Sequence, residues 1–253
     1  MPSSSTRPGR PGLLARYDTQ ALRPPAIAPG GSAAAAVRAA AAHAAWHPLL
    51  NWCFDGAGTG ACPLLAPRAA PDIGKPFEVA LLGGPDLPTL AEFATALCLH
   101  LDGSVALAER PGRASRLAYR LQVKIQDACW WRRRHRADPW DCGWAGGDAA
   151  AAASLAHFAP RRATLIVVRD LLPDGACGEK TAALARSIAQ LAADRAQWRH
   201  PVRLLLLHER ESGLSGRALA ARWMRDLSAL GPVAVFEGPS PQLITRPPSM
   251  LSD

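Results

Sequence analysis

The chain has 253 residues, of which 49% are hydrophobic, and a formal net charge of +8. That is length and apolar content enough for one core-bearing domain with flanking segments. No strongly apolar run approaches the roughly 18 residues of a membrane-spanning helix, so neither a transmembrane segment nor a membrane partner is expected, and the expected location is the cytoplasm.

Residues 1–32 are rich in Ser, Pro, Gly and Arg and carry one acidic residue, Asp18. Too few large apolar side chains occur there to build a core, so a disordered leader is expected. A plain flexible tail is the simpler reading of it, and a secretion or targeting signal the alternative. Residues 33–73 read as one alanine-driven helix over Ala33–Leu50, interrupted near its end by Pro48, followed by a Gly/Pro-rich linker over Asn51–Ile73.

Regular patterning begins near Lys75. Phe77–Leu82 is a short, continuously apolar run, the signature of a strand covered on both faces. Leu87, Leu90, Phe93, Leu97 and Leu101 recur at helical spacing. Ser104–Ala108 reads as a second strand. Arg113–Trp131 is helical, with Leu117, Leu121, Ile125 and Ala128 as its core-facing stripe. Ala149–Phe158 is a further helix with Asp148 as its N-cap. "ATLIVV", Ala163–Val168, and "VRLLLL", Val202–Leu207, are buried strands, with a helix over Glu179–Trp198 between them. Ser215 caps a last helix closed by Gly231-Pro232, Val233–Phe236 is the last strand, and residues 246–253 form a disordered tail.

Strands alternating with helices of ten or more residues predict an α/β domain over residues 74–245, a mostly parallel sheet flanked by helices. Three blocks in this segment, in order, resemble a P-loop NTPase domain of the signal-transduction ATPase kind, the class of AAA-related and NACHT-like regulators. "FEVALLGGPDLPTLAEFATAL" is similar to the first strand, phosphate loop and first helix. "RRATLIVVRDLL" is similar to the strand that carries the magnesium-binding acid, and "HPVRLLLLHERESG" to the sensor strand that follows. The resemblance implies a three-layer sandwich. The fold reading also expects residues 77–82 and 163–168 to be neighbouring parallel strands.

The resemblance also implies a phosphate site at Gly83, Gly84, Pro85, Asp86, Leu87, Pro88 and Thr89, with Arg169 facing it. In an active member, loop amides and the first helix's dipole hold the phosphates, a lysine neutralises them, and a Ser/Thr hydroxyl holds Mg²⁺. Here the Gly-Gly-Pro turn lacks the lysine, Pro85 and Pro88 have no N–H, and Asp86 brings negative charge. At an effective dielectric near 20, like charges about 4 Å apart repel by roughly 4 kcal/mol, which weakens binding about a thousandfold. In the second block Arg169 stands where the acid is expected and Asp170 is displaced by one residue, which turns it to the other face of a strand. If the site were active, Thr89, Asp170 and Arg210 would be its catalytic set, with ATP and magnesium as cofactors.

The charge is uneven. Residues 110–136 hold nine basic residues against one acidic, Asp127, an excess equal to that of the whole chain. Arg113, Arg116, Arg120 and Lys124 recur at three and four, on one helix face opposite Leu117, Leu121 and Ile125. Arg132, Arg133, Arg134 and Arg136 follow, among Trp130, Trp131, Trp140 and Trp144. This segment is either a solvated helix face with Trp residues packed in the core or a site for an anionic partner: nucleic acid, an acidic protein or anionic lipid. Lipid is the least expected, because the face opposite the basic row is built for a core. The six cysteines have neither C-x-x-C nor zinc-site spacing and read as small buried hydrophobes; no metal is expected.

The function expected from the sequence is thus a catalytically degenerate P-loop NTPase-like module for protein interaction or regulation. The alternatives are an active ATP-hydrolysing enzyme with an atypical loop and a nucleic-acid binder using Arg113–Arg136.

Overall fold

The computed structural model describes residues 19, 21–26, 31–55, 77–128, 138–145, 149–169, 187, 188, 190, 193, 200–209 and 233–239. Among the described residues the elements run in the order β1 (Leu22–Arg23), α1 (Ala33–Ala41), α2 (Trp46–Asp55), β2 (Phe77–Gly84), α3 (Leu87–Leu101), α4 (Ser104–Ala108), α5 (Gly112–Ala128), β3 (Asp141–Ala145), α6 (Ala149–Ala156), β4 (Thr164–Val168), β5 (Val202–Glu209) and β6 (Val233–Glu237).

The six strands form one mixed sheet in the order β1-β3-β4-β5-β2-β6, parallel except for the β1–β3 pair. The class is α/β, as the alternation of elements predicts. The strand neighbours differ from expectation: β2 and β4 do not touch, because β5 pairs with both. The three sequence blocks nonetheless lie side by side, with their carboxyl ends on one edge.

Successive strand residues point to opposite faces, and in the central strands β2, β4 and β5 nearly all residues on both faces are buried. Ala80, Leu82, Leu165, Val167, Leu205 and Leu207 face α1, α2 and α3, where Trp46, Leu49, Phe93 and Leu97 complete one core. Val79, Ile166, Val168, Leu204 and Leu206 face Leu155, Phe158 and Ile188, which complete the other. This two-sided burial is why the strand sequences lack polar alternation.

The N-terminal region departs from expectation in two ways. Ala21 and Leu22 are fully buried, and Leu22–Arg23 pairs with Ala145 and Trp144, so these residues of the expected leader are part of the sheet. An edge strand needs backbone partners more than apolar content, which is why composition misses it. The single helix expected over Ala33–Leu50 is two. Ser32 caps α1 through Ala35 N–H, and a turn in which His43 Nδ1 accepts from Ala45 N–H leads into α2. Pro48 lies in the first turn of α2, where its missing N–H costs nothing, so the helix runs on to Asp55 through the start of the expected linker.

Arg203 ties α2 to the sheet. It is fully buried, and its Nε donates to the carbonyls of Trp52 and Cys53 at 3.3 and 3.1 Å, in the last turn of α2. Its guanidinium lies 6.0 Å from the Trp52 ring centroid. Burial lowers its pKa, and the negative charge of Glu78, directly across from it on β2, works against that shift. A cation at a helix C-terminus meets both the orphan carbonyls and the negative end of the dipole.

Ser104–Ala108 is a helix, not a strand. Gly103 adopts φ +80°, and the Asp102 carboxylate accepts from Ser104 N–H at 2.7 Å, which restarts helical winding after α3. In α5 the expected stripe does not reach the core: Leu117, Leu121 and Ile125 are 68%, 59% and 54% exposed. The face turned to the body carries Tyr119, Val123 and Gln126 instead. "DCGWA", expected as part of a basic Trp-rich stretch, is strand β3, anchored by buried Trp140 edge-on to Phe54 at 5.7 Å. A bidentate ion pair joins Arg161 to buried Asp141, with contacts of 2.7 and 3.0 Å.

Candidate functional site

Chain direction locates the crevice where a ligand is expected. From β2 the chain leaves toward β3 by way of α3, on one face; from β5 it leaves across β2 to β6. In a parallel sheet, adjacent strands whose connections lead in opposite directions flank a topological switch point at their carboxyl ends, and β2 and β5 are such a pair. Gly83 and Gly84 pair there with His208 and Glu209, both half-buried.

The local structure at that point is not a loop. Gly83 and Gly84 are the last residues of β2, held in register between β5 and, for Gly83, Glu237 of β6. Only Pro85 and Asp86 separate the strand from α3, so the expected Gly-Gly-Pro turn shrinks to two residues. Gly83 O accepts from Gly238 N–H at 2.7 Å. A Cβ on Gly84 would stand 2.7 Å from Leu90 Cδ2, and one on Gly238 would meet the same methyl. These glycines let buried Leu90 and the chain after β6 close over the strand end, which is a packing reason for Gly rather than a ligand-cradling one.

The amino end of α3 is capped from within the chain. Asp86 has extended backbone angles, and its Oδ1 accepts from Thr89 N–H at 2.7 Å. Asp86 O accepts from Leu90 N–H at 3.3 Å. Pro88 has no N–H. Of the first four positions of α3, Leu87 to Leu90, three therefore have their donor engaged by Asp86 or lack one. The carboxylate sits where an anion would bind a helix N-terminus, and its Oδ2 is buried with no hydrogen-bond partner.

The remaining sequence-derived candidates do not converge on this point. Arg169 follows β4 and is exposed. With β5 intervening, it lies about two strand spacings, roughly 10 Å, from the line of β2. Thr89 is half-buried in the first turn of α3. Asp170, Arg210, Arg132, Arg133, Arg134 and Arg136 lie outside the described residues. Arg113, Arg116, Arg120 and Lys124 are exposed along α5 and belong to the other end of the sheet. They flank the Leu117–Ile125 stripe by about a quarter turn rather than opposing it, since successive residues rotate by about 100°.

That other end holds a recess of about 310 Å³ between α5 and the amino ends of β3 and β4, lined by Asp102, Tyr119, Arg120, Lys124, Arg161 and Arg162 among others. Burial raises the Asp102 carboxyl above its ordinary value, against the hydrogen bonds from Ser104. Burial likewise raises the Tyr119 hydroxyl. The hydroxyl of Tyr119 packs on the bare α-carbon of Gly103. Spacing alone offered no signal for this recess, which joins residues from three distant stretches.

Cys53, Cys98 and Cys142 are buried in the core. Burial pushes the Cys53 and Cys142 thiols up, away from the thiolate form a nucleophile needs. Among the described residues no helix is long and apolar enough to cross a membrane. No protein-family model, curated protein or solved structure matches the chain. The class the fold defines is an α/β protein with a mostly parallel mixed sheet.

Proposed function

We propose that the chain is a non-enzymatic interaction module: a P-loop NTPase-like α/β domain whose nucleotide site has decayed and which serves in protein interaction or regulation in the cytoplasm. The single observation that supports this reading is the Asp86 cap, with Leu90 packed on Gly84 behind it. A triphosphate needs free amides and positive charge where this chain has engaged amides, two prolines and a carboxylate. The residues present do not fit a magnesium nucleotide. The side-by-side order of the three blocks supports the architectural half of the proposal.

The test is a calorimetric titration of ATP with magnesium into the full chain, together with a phosphate-release assay. The expected outcome is no magnesium-dependent binding tighter than about millimolar, no turnover, and no change on Thr89→Ala or Asp170→Ala. Tight magnesium-dependent binding with turnover lost in either variant would establish the enzyme instead.

A further inference from the structure

We propose that the outer face of α5 is a docking surface for an anionic lipid bilayer, with the helix lying in the plane of the headgroups. This names a partner for one surface and is independent of the β2–α3 junction. Tyr119, Val123 and Gln126 turn toward the body of the protein, and Leu117, Leu121 and Ile125 project on the opposite side. More than half of each of these three aliphatic side chains is in water. One flank of the stripe is the row Arg113, Arg116, Arg120 and Lys124, all exposed, and the other flank is Ala118 and Gln122.

No acidic residue occurs from Arg110 to Gln126, so the face is cationic from the start of the helix past the last of its four basic residues, Lys124. Charge complementarity therefore calls for an anionic partner, and the stripe selects among them. Nucleic acid would satisfy the basic row and leave Leu117, Leu121 and Ile125 in water. A second copy of the chain would cover the stripe but bring one basic row near another. A bilayer interface supplies both depths at once: acyl chains below for the aliphatic ridge and anionic headgroups level with the basic flank. The stripe expected to face a core faces outward instead, so the expectation against a membrane partner does not extend to α5.

The experiment is co-sedimentation of the full chain with vesicles of phosphatidylcholine alone and with roughly one third phosphatidylglycerol. The proposal expects partition onto the anionic vesicles only, weakening steeply as salt rises beyond about 0.1 M. Arg113→Gln with Arg120→Gln should lower the partition constant by roughly thirty-fold. Leu117→Ser, Leu121→Ser and Ile125→Ser together should lower it at least tenfold while the protein still unfolds cooperatively with only a small shift in its thermal midpoint, because more than half of each residue is exposed. Absence of anionic-vesicle binding at low salt, or binding indifferent to the serine variant, overturns the proposal. So does a solution dimer that the serine variant dissolves, or single-stranded DNA that displaces the vesicles and binds the serine variant equally well.

Discussion

Helices α3 and α5 are of similar length, 15 and 17 residues, and both carry leucines at helical spacing. In α3 that spacing marks a buried helix: Leu90, Phe93, Leu97 and Leu101 are all in the core. In α5 the same spacing marks the face turned away from the protein. The difference lies in what surrounds the leucines. In α3 the intervening positions are also apolar, with Ala94, Ala96, Cys98 and Leu99 buried, so most of its circumference meets the two neighbouring layers. In α5 the half-buried contacts go to Tyr119 and Val123, and Arg110 stacks 4.5 Å from the Tyr119 ring. An apolar stripe states that a helix has an apolar side; it does not state what that side meets.

The contrast between a sealed layer and an open helix can be broken hardest at Arg203. Arg203→Ala strands the Trp52 and Cys53 carbonyls and leaves Glu78 facing a void, and should cost about 3–5 kcal/mol in urea unfolding. Arg203→Lys should recover only part of this, because the Nε donor that reaches both carbonyls is gone. Next is Gly84→Ala, whose methyl collides with Leu90; a loss of about 1–3 kcal/mol is expected. Combined with Leu90→Ala, the cost should fall below the sum of the single costs in a double-mutant cycle. Additivity would remove the packing account of the Gly-Gly pair.

Asp86→Ala should cost about 1 kcal/mol through the lost cap, and Asp86→Ser much less. Smaller still is the effect of Leu121→Ser in α5, which should move the unfolding midpoint by no more than about 0.5 kcal/mol. A larger loss would mean that the stripe is covered.

The smallest expected effect is a pH dependence at Asp102. Its carboxyl is raised by burial, so the folded chain holds the proton more tightly than the unfolded one. That contribution is fully present below the ordinary carboxylate pKa of about 4 and is lost as pH rises through the folded value. Asp102→Asn, which keeps an oxygen for Ser104 N–H, should flatten this slope when urea midpoints are compared across pH 3 to 7. An unchanged slope would show that the carboxyl does not carry it.

The sheet was legible because its strands are buried on both faces, and "FEVALL", "ATLIVV" and "VRLLLL" admit little else. Their order was only partly legible: a strand's apolar run says nothing about its neighbours, and β5 lies between two strands expected to touch. Gly83-Gly84 carried a true signal, close approach, and was read as a turn. The cause of that approach is Leu90 of α3 and the chain at Gly238, 154 positions from Gly84, which no local pattern contains. Ser104–Ala108 went the other way, since β-branched Val105 and a short apolar run mimic a strand once the Asp102–Gly103 restart is overlooked. Arg203 left no signal at all, because one charge within "VRLLLL" looks like an edge position until the end of α2 is seen above it.

The two-residue strand β1 has a consequence out of proportion to its size. It pairs with Trp144 and Ala145 on the outer side of β3, backbone groups that would otherwise be available to any extended chain. A fragment cut to begin at Lys75 would bare those groups and also lose α1 and α2. Such a fragment should recruit a foreign strand, self-associate or precipitate, even though all three sequence blocks of the sheet would still be in it.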